Sequence, residues 1–225
     1  MESSRESASN ELSEKKDQPH VKQARWRRRP PADRRQSLID ATIRVIGKHG
    51  IADCSLERVA AAAGVSHGLI RHHFGGKGAL LEAAYQGLAD RFLAALDEAV
   101  GNCNGDVLVC LNAYIDLVHD PLSLGEDHAL AWFGLWYEAR SNPEVHAINR
   151  KFQTDYLAYI ENLIRLAARE QEVEVDHQRV ARSLIALTDG LWQETMIDPA
   201  AFGPEVAREI CADFLANSFR TNHNA

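Results

Sequence analysis

The chain has 225 residues, of which 45% are hydrophobic and 7% aromatic, with four cysteines and a formal net charge of −7. This length suits one large or two small domains, and no apolar run reaches the roughly 18–20 residues that a membrane span needs. The polar N-terminus is unlike a secretory signal peptide, and the cysteines form no Cys-x-x-Cys motif. We therefore expect a reduced, cytoplasmic protein rather than an exported or membrane protein.

The net charge conceals a strong asymmetry along the chain. Residues 20–80 contain 12 Lys or Arg and 4 Asp or Glu, a net charge of +8, whereas residues 81–225 contain 10 and 23, a net charge of −13. A local positive field on an acidic protein suits a phosphate-backbone partner. We therefore predict that the basic segment contacts nucleic acid.

The first structural region follows a polar, basic N-terminal arm, residues 1–32, that we predict to be disordered. Its Arg-rich end either lies along DNA phosphates or is simply a solvated tail. A helix is predicted over residues 33–48, because apolar side chains recur there at helical spacing and Gly50 can end it. The sequence leaves both interpretations of the arm open.

Two short helices joined by a tight turn follow the first helix. Ser55 is a good N-cap for a helix with one apolar face, and Gly64 can take the left-handed conformation that turns the chain. Ser66 is predicted to cap a second helix that turns His67, Arg71, His72 and His73 outward. A helix, a Gly turn and a short helix with polar donors is the pattern of a helix-turn-helix DNA reader.

The rest of the chain is also predicted to be helical. Its apolar residues recur in periodic segments, and prolines fall between these segments or at their starts, which supports the boundaries. The predicted fold class is all-α, with about nine helices: an N-terminal three-helix helix-turn-helix domain over residues 33–80 and a larger helical effector-binding and dimerisation domain over 81–225. The further helices are expected at about 77–100, 106–119, 126–140, 144–171, 176–197 and 204–219.

The first helix, the helix-turn-helix and the start of the helix that follows resemble the TetR family of transcriptional repressors. The resemblance covers about residues 33–82 and lies in Arg35-Gln-x-Leu-Ile-x-Ala41, in Ser55-Leu-x-x-Val-Ala-x-x-Ala-Gly64-Val-Ser-x-Gly-x-Ile-x-x-His-Phe74, and in Lys77-x-x-Leu-Leu81. It implies a larger all-helical C-terminal domain that binds ligand and dimerises.

A finer resemblance is to the BetI branch, which represses the choline and betaine pathway. It rests on Gly68-Leu-Ile-Arg-His72-His-Phe74, on Trp132-Phe-x-x-Trp136, and on Leu187-x-Asp189-Gly-Leu-Trp192. Arg71 stands where the family most often has Tyr, so we expect a different operator sequence.

The candidate DNA contacts lie mainly in the helix-turn-helix. Arg71 can bind the O6 and N7 atoms of a guanine, and the hydroxyls and helix N-termini can donate to phosphates. The resemblance makes Lys77 a phosphate clamp. The predicted DNA-binding residues are Arg34, Ser55, Ser66, His67, Gly68, Leu69, Arg71, His72, His73 and Lys77. The alternative for the charged residues is a solvated surface.

One reading helix covers one half-site, so a repressor of this type needs a homodimer on a palindromic double-stranded operator. The apolar stripes of the last two helices are the predicted dimer interface, and the alternative is that they serve the intrachain core. The predicted interface residues are Leu184, Leu187, Leu191, Ile210 and Phe214.

Aromatic side chains cluster in the C-terminal half, and aromatic faces with a carboxylate suit a quaternary ammonium such as choline. The predicted ligand-binding residues are Trp132, Trp136, Tyr137 and Trp192, although aromatic residues at helical spacing more often form core. The helix over 77–100 would connect sensor and reader. Alternatives are a regulator of an efflux, lipid or catabolic operon that senses an apolar ligand, and a DNA binder without an effector.

No catalytic motif is evident, so we do not expect an enzyme. The vicinal histidines point about 100° apart and lack a third ligand, so we expect neither a metal site nor a cofactor. Whether the regulator represses or activates depends on where its operator lies.

Overall fold

The computed structural model describes residues 30–103, 105–120 and 125–220, and the regular structure within them is entirely helical. Nine α-helices follow one another within the described residues, as predicted, and confirm the all-α class. They are α1 (Pro31–His49), α2 (Leu56–Ala63), α3 (His67–Phe74), α4 (Lys77–Gly101), α5 (Val107–His119), α6 (Glu126–Ser141), α7 (Pro143–Glu170), α8 (His177–Ile197) and α9 (Pro204–Ser218).

The N-terminal boundary differs slightly from the expectation. Helix α1 begins at Pro31, because proline suits the first helical position, where no N–H is needed. The last residues of the predicted arm are therefore helical, and residues 1–29 lie outside the described residues.

Side-chain caps fix several of the later helix starts. Asp106 accepts hydrogen bonds from the N–H groups of Leu108 and Val109 at the start of α5. Asn142 caps α7 in the same way and is followed by Pro143, while Asp176 caps α8. These caps satisfy N–H groups that have no partner inside the helix.

The two halves share one helix and one core. Helix α4 spans residues on both sides of the predicted domain boundary at residue 80, and its buried side chains run from Leu80 to Leu96. The buried core continues from Leu38 in α1 to Leu184 in α8. The N-terminal and C-terminal halves are therefore packed against each other rather than joined by a linker.

Helices α1 and α6 cross at close range. A Cβ atom at Gly47 would collide with the backbone of Asp127, and one at Gly134 would meet the side chains of Ile46 and Ile51 at 3.0–3.2 Å. Small residues on both helices thus allow the C-terminal half to touch α1 directly.

Within the described residues, no helix is both long enough and apolar enough to cross a lipid bilayer.

Candidate functional site

The helix-turn-helix is built by local interactions that the sequence contains. Ser55 Oγ accepts a hydrogen bond from the Arg58 N–H at 3.2 Å, and Gly64 adopts φ 69° and ψ 36°. Ser66 occupies the N-cap position of α3 but forms no capping hydrogen bond with its side chain, contrary to the expectation. Ile70 and Phe74 are buried and hold α3 against the body.

The outer face of α3 carries polar and basic groups. Ser66, Gly68, Arg71 and His72 are exposed, as is Lys77 at the start of α4. Arg71, His72 and Lys77 form no ion pair within the part of the chain that the structure describes. Their positive or polar ends are therefore available to an external partner.

Positive charges crowd the end of α3 next to the start of α1. Desolvation lowers the pKa of His73, and the nearby charges of His72, Arg34 and Arg35 lower it further. The Arg35 guanidinium lies 5.1 Å from the centre of the Phe74 ring. These basic residues lie close together and outnumber the acid beside them, Asp33, so the cluster creates a field that attracts phosphate.

The remaining predicted DNA contacts lie in less open positions. His67 and His73 are half-buried, and Leu69 is half-buried and packs against the core. Arg34 is also half-buried, with its Nε atom buried and unpartnered. The Leu69 side chain therefore contributes mainly to core packing rather than to a DNA-binding surface.

Glu57 is a residue of this surface that the sequence analysis missed. Its carboxylate lies 3.5 Å from His67 Nε2 and bridges the first turn of α2 to the first turn of α3. The two residues are ten positions apart, and their proximity depends on the angle between the helices, which no periodicity encodes.

A second site is a cavity in the C-terminal half. It encloses about 660 Å³ of empty space, including the part that opens to solvent. Five helices and the α5–α6 connection contribute its walls. The lining residues are Phe92, Val118, Asp120, Gly125, Ala129, Trp132, Trp136, Phe152, Gln153, Tyr156, Asp189, Trp192 and Met196.

Aromatic rings form most of the cavity wall. Trp132 stacks on Phe152 at 5.4 Å between ring centres, and Phe152 stacks on Tyr156 at 5.6 Å. Trp136 and Trp192 meet edge to face at 5.7 Å. The structure thus brings together three of the four predicted ligand-binding residues.

The expectation for Tyr137 is corrected. Its side chain is 71% exposed, and it does not line the cavity. Tyr137 directly follows Trp136 on α6, and neighbouring helical positions point about 100° apart, so the two cannot face the same wall. Cavity residues that the sequence analysis did not select include Phe92, Phe152 and Gln153, because each has the helical spacing of an ordinary core position.

Asp189 is the carboxylate of the cavity that lacks a counter-charge. It forms no hydrogen bond or ion pair with any described residue, and burial raises its pKa to about 6. The carboxylate is therefore mostly ionised at neutral pH and accepts hydrogen bonds without donating any. A cation placed against the surrounding rings would compensate its charge.

A cluster of polar side chains links α6, which lines part of the cavity, to α1 and α4. Arg91 of α4 donates to Asp40 of α1 at 2.5 Å and lies 2.7 Å from His128 Nε2 of α6. The His128 N–H donates to the carbonyl of Gly125, which lines the cavity. Residues from α1, α4 and α6 thus meet beside the cavity wall.

The last two helices present a mixed surface. Leu184 is fully buried in the chain's own core, which corrects its assignment to a dimer interface. Leu187, Leu191 and Phe214 are half-buried and pack against that core. Ile210 is 39% exposed. Val206 and Ile197 are further exposed apolar residues, at 46% and 75%.

The described residues contain no group of three or more His, Cys, Asp or Glu side chains that could hold a metal ion. All four cysteines are buried and free.

Comparison with known proteins identifies both halves. Residues 38–84 match the family of bacterial regulatory proteins named after TetR, and residues 111–220 match the C-terminal domain of BetI-type transcriptional repressors. The transcriptional regulator BetI of Ectopseudomonas mendocina is 33% identical over 184 residues, which cover 81% of this chain and 91% of that protein. The chain belongs to the TetR family.

Other relatives agree with this assignment. The nicotine-responsive transcriptional repressor HdnoR of Paenarthrobacter nicotinovorans is 32% identical over 168 residues, covering 75% of this chain and 86% of that protein. A crystal structure of a transcriptional regulator from Pseudomonas aeruginosa PAO1 has a TM-score of 0.77 at 30% identity and covers 87% of this chain and 95% of its own. A regulator from Saccharomonospora viridis, solved in complex with choline, shares the fold at 23% identity and a TM-score of 0.72, covering 86% of this chain and 97% of its own.

The chain is thus a TetR-family transcriptional repressor with a BetI-like C-terminal domain, and its relatives are regulators rather than enzymes.

Proposed function

We propose that this protein is a homodimeric repressor that binds a palindromic operator in the cytoplasm and releases it when a small organic cation occupies the aromatic cavity. The observation that carries the proposal is the position of Asp189, an ionised carboxylate without a counter-charge inside a wall of aromatic rings. Removing a charge from water is costly unless an opposite charge approaches it. A cationic ligand meets this requirement and gains cation–π attraction as well.

The relatives support a ligand of this class. One of them is a nicotine-responsive repressor, and nicotine carries a basic nitrogen. The choline complex of the Saccharomonospora viridis regulator concerns that protein alone, but it makes choline a reasonable first probe.

The DNA-binding half of the proposal rests on the exposed face of α3, where Arg71 and His72 form no ion pair with any described residue. In this proposal, Arg71 reads a guanine with two hydrogen bonds, and its exposure supports that role, while Lys77 and the cluster beside Arg34 attract phosphates. Two copies of α3 reach successive major grooves when they lie about 34–36 Å apart. The exposed apolar residues Ile197, Val206 and Ile210 on α8 and α9 are the surface we assign to the second copy.

Helix α6 is placed to connect the two activities. Ala129, Trp132 and Trp136 line the cavity from this helix, whereas Asp127 and Gly134 touch α1 from it. A ligand that moves α6 must therefore act on α1, and on α4 through the Arg91–His128 contact. In this proposal, both α4, as predicted from the sequence, and α6 connect the cavity to the DNA-binding half.

The release itself is a population shift. A ligand that binds one arrangement of the dimer better than the other moves the equilibrium by that difference in affinity.

Calorimetry on the purified full chain tests the cation directly. We expect choline to bind at least about tenfold more tightly than its uncharged carbon analogue, 3,3-dimethylbutan-1-ol, because only the cation can compensate Asp189. Equal affinities would favour an apolar effector instead. A DNA selection with the same protein would identify the operator, and choline should lower the affinity for the selected sequence.

A further inference from the structure

Tyr156 lines the cavity, and its hydroxyl belongs to a hydrogen-bonded chain with two buried residues that do not. Tyr156 Oη lies 2.5 Å from Tyr114 Oη, and Tyr114 Oη lies 2.7 Å from Thr188 Oγ1. Thr188 Oγ1 in turn lies 2.9 Å from the carbonyl oxygen of Ile185. Tyr114 and Thr188 are fully buried and do not line the cavity.

The direction of these hydrogen bonds follows from the end of the chain. A backbone carbonyl can only accept, and each hydroxyl has a single proton to donate. Thr188 therefore donates to Ile185, which leaves Tyr114 to donate to Thr188. Tyr156 must then donate to Tyr114, so its own proton points away from any ligand.

The cavity thus ends in groups that accept hydrogen bonds. The Tyr156 oxygen retains acceptor capacity only, and the Asp189 carboxylate follows Thr188 directly on α8. Burial raises the pKa of both tyrosines, and the nearby charge of Asp189 raises it further. Gln153, one turn before Tyr156 on α7, can either donate or accept and sets no preference.

We propose that Tyr114 and Thr188 determine ligand specificity from outside the cavity, by holding the Tyr156 hydroxyl as an acceptor for cations that carry an O–H or N–H donor beside the charge. This inference rests on the cationic effector proposed above. A ligand of this kind places its charge among the rings and its donor against Tyr156 and Asp189. A cation without a donor leaves these acceptors unsatisfied in a place with little water.

The test compares two probes of equal charge. Choline carries a hydroxyl donor, and its O-methyl ether carries the same quaternary nitrogen without the donor. Calorimetry on the full chain at about pH 8 should show choline binding about tenfold more tightly than the ether, the usual effect of one hydrogen bond to a charged or buried acceptor. Equal affinities of the two probes would overturn the inference.

Two variants assign the preference to these residues. Tyr156→Phe removes one acceptor without stranding a donor, because Tyr114 still donates to Thr188, and should reduce the choline-to-ether ratio several-fold while Asp189 remains. Tyr114→Phe frees the Tyr156 proton to turn toward the ligand, so the ratio should fall because the ether gains affinity. Tyr159→Phe, on the same helix but outside the cavity, should leave the ratio unchanged.

The outcomes separate this inference from the proposed function. If choline and the ether bind equally but both exceed 3,3-dimethylbutan-1-ol, the cationic effector stands and the donor preference fails. If the neutral alcohol matches choline, the cationic effector fails. If the ratio stays near tenfold in Tyr156→Phe and Tyr114→Phe, with both variants folded by circular dichroism, the role of Tyr114 and Thr188 is refuted.

Discussion

The helix-turn-helix surface and the aromatic cavity differ in the charge that each leaves without an intrachain partner. The reading surface exposes positive side chains, Arg71 and Lys77 among them, that form no ion pair within the described residues. The cavity instead holds a negative one, Asp189, against aromatic rings. The expected partners have the opposite signs: a polyanion for the surface and a small cation for the cavity.

The difference in burial determines what each unpaired charge costs the folded protein. An exposed guanidinium such as that of Arg71 stays hydrated, so its lack of a partner in the absence of DNA raises the free energy of the folded protein very little. A half-buried carboxylate in an aromatic cavity loses part of its water, which raises the free energy of the empty state. Ligand binding to the cavity therefore relieves a cost already present, whereas DNA binding must displace counterions and water.

The largest expected effect is on DNA recognition. Arg71→Ala should lower affinity for the selected operator by on the order of 100-fold, because each half-site loses about 1–3 kcal/mol of base discrimination. Fluorescence anisotropy with operator and random duplexes measures this. Affinity for random DNA and for choline should change little.

The matched control for this variant is Arg150→Ala, which removes an exposed arginine from α7 in the acidic half. A comparable loss in that variant would show that net charge, rather than the reading helix, accounts for the effect.

The next effect should be confined to the cavity. Asp189→Asn keeps the shape of the side chain but removes its charge, so choline affinity should fall by about tenfold or more, as expected when a buried charge pair loses one partner. Calorimetry measures the choline affinity, and fluorescence anisotropy without choline should show unchanged operator binding. A normal choline affinity in this variant would mean that the rings alone hold the cation.

A smaller effect is expected where the two regions meet. His128→Ala removes the contact with Arg91 that ties α6 to α4 and, through Asp40, to α1. We expect choline and operator to bind with nearly normal affinity when measured separately, while the choline-induced loss of operator affinity shrinks by about threefold to tenfold, a coupling change of roughly 1 kcal/mol.

His146→Ala serves as the control for this variant, because that ring contacts the Ala139 carbonyl within the sensing half and does not touch α1. If both substitutions reduced the effect of choline on operator affinity equally, the Arg91–His128 contact would have no special role in coupling the two sites.

The reading surface was predictable from sequence because its geometry is local. Ser55, Gly64 and the buried Phe74 lie within one continuous segment, and each acts through backbone preferences that follow from residue type. Their spacing therefore gave the two helices, the turn and the outward face of α3. The Glu57–His67 contact was missed because it depends on how two helices cross.

The cavity was predictable only in part because five helices and a connection build it. Trp132, Trp136 and Trp192 could be selected by composition, but Phe92 and Phe152 are spaced like any core residue. Tyr137 and Leu184 were misassigned because periodicity gives the faces of one helix and not the element that covers each face. Which stripe lines a void, and which fills the core, is decided by tertiary packing.

The smallest expected effect concerns stability and checks the cost attributed to Asp189. Its pKa is raised from 3.8 to about 6, so the folded state binds the proton more tightly than the unfolded state between these values. Stability of the native protein should fall as pH rises through this window, with the full penalty present above about pH 6. Asp189→Asn lacks the penalty and should melt a few degrees higher at pH 7.5, whereas the difference should fall to roughly half at pH 5, which lies about midway between the two pKa values. Thermal melts of both proteins at the two pH values test this, and saturating choline should remove the advantage of the variant because the cation compensates the native carboxylate. A pH-independent difference would place the effect in packing, and the contrast between a hydrated and a desolvated unpaired charge would then lose its energetic basis.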